Sequence, residues 1–76
     1  MEVDLKRLQD ERKRKGFSQE YMAKAMGWKD RGVYAKRENG IVNISANELI
    51  RIAEILGYSK EDVGIFFKEN LHKTEV

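Results

Sequence analysis

The sequence contains no cysteine and no proline, and it has one histidine and one tryptophan. Without cysteine, neither a disulfide nor a thiolate metal site can supplement the core, and the composition suits a reducing cytosol. His72, the lone histidine, has no cysteine to join it, and zinc ligation needs more ligands than one. The carboxylates are scattered along amphipathic stretches, most of them near a basic residue, so neither a catalytic constellation nor a cofactor is expected. Apolar runs are short, and nothing resembles a signal peptide or a membrane span. No internal repeat or low-complexity segment divides the chain.

What remains is a small, heavily charged chain. Its 76 residues allow one domain, 1–76. A chain of this size buries only about 60% of the surface its unfolded form exposes. The net charge of +2 is unevenly distributed. Residues 1–37 hold eleven Lys/Arg against six Asp/Glu, and residues 38–76 hold four against seven. A basic half and an acidic half are what a polyanion binder with a separate assembly surface would show.

The basic half contains the most informative stretch, Phe17 to Gly40. Ser18 is a good N-cap, since its hydroxyl can accept from a free N–H of the first turn. Behind it the segment QEYMAKAM places Met22 and Met26 on one face, with Ala23 beside them. Gly27 can adopt the left-handed conformation that ends a helix. Asp30 is the next cap, a second helix covers roughly residues 31–39, and Gly40 closes it. Two short helices joined by a tight turn form a helix-turn-helix, whose second member enters a DNA major groove.

The flanks read as further helices. Helix one runs from Asp4 to Arg14, with Leu5 and Leu8 facing the core and Gly16 as its stop. Lys6, Arg7, Arg12, Lys13, Arg14 and Lys15 read as its solvated surface, supported by Glu2–Lys6, Asp10–Arg14 and Glu11–Lys15 at i, i+4. Phe17 can staple the entry to helix two. After Gly40 comes an extended loop with Ile41 or Ile44 tucked inward. Ser45 and Glu48 form a capping box for a helix over 46–56, whose stripe is Leu49, Ile52, Ala53 and Leu56. A fifth helix is expected over about 60–70, with Val63, Phe66, Phe67 and Leu71 as its stripe and a frayed tail beyond.

GFSQEYMAKAMGW, VYAKRENG and LIRIAEILGYSKEDV together resemble the Xre family of helix-turn-helix proteins, the lambda repressor and Cro type, over about residues 4–68. The resemblance implies a compact, all-α, five-helix lambda-repressor-like domain with its helix-turn-helix at helices two and three. It also implies a bacterial or phage regulator of transcription that binds a palindromic operator as a dimer. One departure matters: Met26 to Gly40 is a residue longer than the usual spacing. With the extra residue in the turn, Asp30 is the cap and Tyr34 the inward anchor; with it at the end of helix three, Val33 is the anchor. The first register is preferred because Asp30 caps well. In either, a basic residue, Lys36 or Arg37, takes the later inward position, its stem packed and its charge at water or phosphate.

The resemblance also assigns roles. Gln19 matches the position that grips a phosphate with its amide, and Ser18 adds a donor beside it. Arg31, Gly32, Ala35 and Lys36 match groove-facing positions. Arg31 is the best candidate for direct readout, because guanidinium can bond guanine O6 and N7 together. Lys36 can do similar work or hold phosphate, and Ala35 can meet a thymine methyl. Lys29, Arg37 and Asn43 flank the helix as phosphate contacts, which position without specifying. Tyr34 and Trp28 could stack on bases, but core packing is the favoured reading. Ile65, Phe66 and Phe67 offer more apolar breadth than so small a core needs, which points to a dimer surface. The competing reading is a protein-interaction module of the same fold, an antitoxin or antirepressor that uses the acidic C-terminal surface and leaves the basic face idle.

Overall fold

In the computed structural model, which describes residues 2–68, four α-helices are followed by a 3-10 helix. They are α1 (Leu5–Arg14), α2 (Gln19–Ala25), α3 (Arg31–Glu38), α4 (Ala46–Ile55) and the 3-10 segment Lys60–Phe66. Local chemistry sets each start. Asp4, Ser18, Asp30 and Ser45 accept from the backbone N–H three residues on, and Glu48 completes the capping box with the N–H of Ser45. Gly27 stands at φ +80° past the end of α2, and Trp28 N–H reaches back to Ala23 O at 2.9 Å. A side chain at that φ would clash with its own backbone, so glycine makes the sharp turn into α3 possible.

The core is one cluster: Leu8, Met22, Ala23, Tyr34, Leu49, Ile52, Ala53, Leu56 and Phe66. The stripes read from helical spacing supply most of it. Each large apolar member contributes about 1.5–3 kcal/mol by leaving water. Asp30 is the cap of α3 and Tyr34 is fully buried, so the extra residue lies in the turn. Leu5 is only half-buried, and of the two loop isoleucines Ile44 packs inward while Ile41 is 71% exposed.

Three expectations need correction. Arg12 is not on the solvated surface of α1 but only 7% exposed, for a reason given below. On the same helix Asp10 pairs with Lys6, and Glu11 with Arg7 and Arg14, rather than with the bases that follow four residues later. The fifth helix is 3-10, not α, and ends at Phe66. Its tighter winding brings Val63 and Phe66 onto one edge, and Gly64 between them disfavours a regular α-helix. Phe67 is already extended and forms an isolated antiparallel bridge with Val3. Asp4 N–H donates to Phe66 O at 2.7 Å and Lys68 N–H to Glu2 O at 3.0 Å, which ties the two chain segments together. Leu71, His72 and the tail lie outside the described residues.

Candidate nucleic-acid interface

The helix-turn-helix hangs on one buried carboxylate. Glu38, the last residue of α3, is 5% exposed, and Tyr34 one turn earlier is fully buried. Arg12 reaches across from α1 and donates from Nε to Glu38 Oε2 at 2.9 Å and from Nη2 to Oε1 at 3.0 Å. Tyr34 donates its hydroxyl to Oε2 at 2.7 Å, and Gln19 donates Nε2 to Oε1 at 2.9 Å. The remaining Arg12 nitrogen, Nη1, donates to Phe17 O at 2.8 Å in the turn before α2. One ion pair therefore fastens α1, the entry to α2 and the end of α3. Burial pushes the Glu38 carboxyl up, but the bonds from Arg12, Tyr34 and Gln19 outweigh it and hold the group below the ordinary carboxylate value. The Tyr34 phenol is pushed well above its ordinary value, first by burial and then by its bond to the carboxylate.

Tyr34 and Glu38 are turned inward, and Lys36 is exposed on the far side of α3. Arg31 lies on the stripe of Glu38 but is exposed because it stands in the first turn, and Lys29 is exposed in the turn before it. Arg31 donates Nη1 to Gln19 Oε1 at 2.8 Å, so the first residues of α2 and α3 touch. Ser18, exposed at the same end, accepts from Tyr21 N–H at 2.9 Å as its helix cap. Gly32 is half-buried, and a Cβ there would meet the capping carboxylate of Asp30 at 3.2 Å. Asn43 is exposed in the loop after α3, beside a groove of about 570 Å³ whose other wall is the segment from Glu2 to Lys6.

Three assigned residues do not stand where they were expected. Ala35 is buried, with 8% exposure, because it shares the inward side of α3 with Tyr34 and Glu38; its methyl has little surface to offer a thymine. Arg37 is the basic residue of the inward position. Its guanidinium donates to both oxygens of Glu48 at 3.0 and 3.2 Å and to Val33 O at 2.9 Å, and lies 4.4 Å from the Trp28 ring centroid. Each of its three nitrogens has a partner within the molecule, so Arg37 clamps α3 to the start of α4. Phe66 is fully buried in the core and meets Tyr58 edge-on at 5.6 Å, which removes it from any dimer surface in this conformation. Ile65 and Phe67 remain half-buried against the same core. Trp28 and Tyr34 pack inward, 6.5 Å apart between ring centroids, as the core reading expects.

Arg12 and Glu38 are the residues that sequence reasoning missed. A signal was present: Arg12 continues the Leu5–Leu8 stripe at i+7 and i+4, and Glu38 lies one turn after Tyr34. Opposite charges on two inward stripes are a candidate buried pair.

A sequence-family model described as Helix-turn-helix matches residues 8–63, from Leu8 within α1 through α2, α3 and α4 into the first half of the 3-10 segment. Neither the curated proteins nor the solved structures contain a match to the chain.

Proposed function

Because the chain belongs to the helix-turn-helix family, of the Xre and lambda-repressor-like kind, we propose that it is a sequence-specific regulator of transcription that seats α3 in the major groove of operator DNA. DNA binding and regulation follow from the family, whose members are regulators and not enzymes. The finer reading rests on one observation. Arg31 in the first turn of α3 and Lys36 further along it are both exposed, as is Lys29 in the turn before, while Tyr34 and Glu38 of the same helix are buried. Exposed cations on a short helix whose other face is locked are suited to a groove lined by phosphates.

In this reading Arg31 reads a guanine edge and Lys36 a base or phosphate. Lys29, Ser18, Gln19 and Asn43 hold the backbone, and Gly32 lets the helix approach closely. A readout surface with so few long side chains leaves part of the specificity to DNA shape and water. A two-fold dimer through Ile65 and Phe67 would set two such helices about 34 Å apart on a palindromic site. The chain would act in the cytoplasm as a small Cro-like regulator. Among the described residues, no helix is long and apolar enough to cross a membrane.

The test is binding to a random duplex over a range of salt concentration. Affinity falls steeply with salt if cations displace counterions from phosphates. An affinity for DNA that is absent or insensitive to salt contradicts the reading.

A further inference from the structure

Glu38 does more than bury a charge. Its two oxygens accept four hydrogen bonds, two each, from Arg12 Nε and Nη2, Tyr34 Oη and Gln19 Nε2. That fills the acceptor capacity of a carboxylate. Arg12 and Tyr34 take three of the places and fix the group, since the arginine grip is bidentate and both partners are themselves buried. The fourth place goes to Gln19.

An ionised carboxylate only accepts, and a side-chain amide has a donating end and an accepting end. Gln19 therefore has no choice of orientation: its NH2 must face Glu38 and its carbonyl must face away. The outward Oε1 is where Arg31 donates Nη1, at 2.8 Å. An acceptor there attracts guanidinium, whereas the NH2 of a flipped amide would repel it. The other nitrogens of Arg31 have no partner among the described residues and stay available.

We propose that Glu38 is a positioning residue for DNA readout, which orients the Arg31 guanidinium by dictating which end of the Gln19 amide faces it. This deepens the function proposed above and rests on it. Arg31 is a long side chain on an exposed helix start, and holding it before contact reduces the ordering that binding would otherwise demand. The carboxylate lies at the far end of α3 from Arg31, and the amide at the start of α2 carries its influence back.

Two measurements test it on the full chain. In the free protein, NMR relaxation of the arginine Nε–H groups reports side-chain order. Arg31 should be clearly more ordered than Arg51, whose contact with Glu54 is 3.9 Å and well exposed. Glu38→Gln, which gives the buried group a donor, should bring Arg31 down to the level of Arg51. That variant leaves Arg12 without its counter-charge and can unfold the domain. Gln19→Met leaves the Arg12 and Tyr34 bonds to Glu38 in place and should release Arg31 equally.

The second measurement uses two DNA probes: a duplex selected by the wild-type protein from a random pool, and a scrambled duplex of the same length. The ratio of the two affinities cancels any phosphate contact that Gln19 makes to both. Gln19→Met and Arg31→Ala should each lower that ratio, the second by roughly fivefold to a hundredfold. The double variant should be no worse than Arg31→Ala alone. Additive losses, or an Arg31 as mobile as Arg51 in the wild type, overturn the proposal while leaving DNA binding intact. A wild-type protein that shows no preference for any duplex overturns the DNA-binding reading, and this proposal with it.

Discussion

Arg12 in α1 holds both carboxylate oxygens of Glu38 in α3, at 2.9 and 3.0 Å, across 26 residues of sequence. Both side chains are buried, at 9% and 1% exposure, and no buried side-chain polar atom among the described residues lacks a partner. A satisfied buried pair of this kind is costly to halve and cheap to replace whole. It contributes little net stability over an apolar pair, but it fixes how the helices meet.

Arg12→Met should therefore destabilise the domain by about 3–5 kcal/mol, since it strands a buried carboxylate. Replacing both partners, Arg12→Met with Glu38→Leu, should recover a large part of that loss in urea denaturation. A double variant as unstable as the single one would show that the pair itself carries the stability.

Acid should weaken the fold through three carboxylates. Glu11 is held below its ordinary value by the Tyr58 hydroxyl and Arg14, and Glu48 by Arg37. Glu38 is held there by its bonds, against the opposing effect of burial. A depressed folded value means that the unfolded chain binds protons first as pH falls. The stability these groups contribute is complete above the ordinary value of 4.5 and is lost below it, as pH drops through the folded values. Urea midpoints should be flat from pH 7 to about 5 and fall from there toward pH 3. Glu48→Gln should flatten part of that fall, and an unchanged slope would contradict the role given to the Arg37 clamp.

The clamp also separates two kinds of basic residue. Lys29→Ala and Lys36→Ala should each lower the salt dependence of DNA binding, by about one unit of slope in a log–log plot, with little effect on thermal stability. Arg37→Ala should do the reverse, lowering the melting temperature through loss of the Glu48 bonds and the Trp28 contact while leaving the slope unchanged. A reduced slope in Arg37→Ala would return that residue to the phosphates.

These contrasts show where reading residues in order succeeds. Ser18, Asp30 and Ser45 were legible because a cap acts within three residues, and Leu49, Ile52, Ala53 and Leu56 because helical spacing is local. The preferred turn register followed from Asp30 as a cap and from the family spacing that Tyr34 to Glu38 then keep. Arg12 was hidden among the other cations of its helix, and its partner lies 26 residues away. Arg37 was read correctly as an inward stem, but its charge meets Glu48, a partner already used in the capping box, rather than a phosphate. The 3-10 segment stops at Phe66 where Phe67 turns extended and bridges to Val3, a tertiary contact that no local pattern announces. Of the groove-facing set, Arg31 and Lys36 came from the resemblance, and both are exposed. Ala35 is not, and an alanine suits either side of a helix.

Dimerisation has its own measurement. Sedimentation at rising concentration should show a monomer–dimer equilibrium that Phe67→Asp shifts toward monomer, with the same substitution weakening binding to a two-half-site duplex more than to a single half-site. A monomer at all concentrations, on DNA as well as free, would leave Ile65 and Phe67 as core packing only.

The most direct measurement compares Arg31→Ala with the wild type on two duplexes, one selected by the wild-type protein from a random pool and one of scrambled sequence. If the exposed side of α3 reads base edges, the variant loses about 1–3 kcal/mol on the selected duplex and almost nothing on the scrambled one. Equal losses on both, or none on either, would mean that this side of α3 does not read sequence.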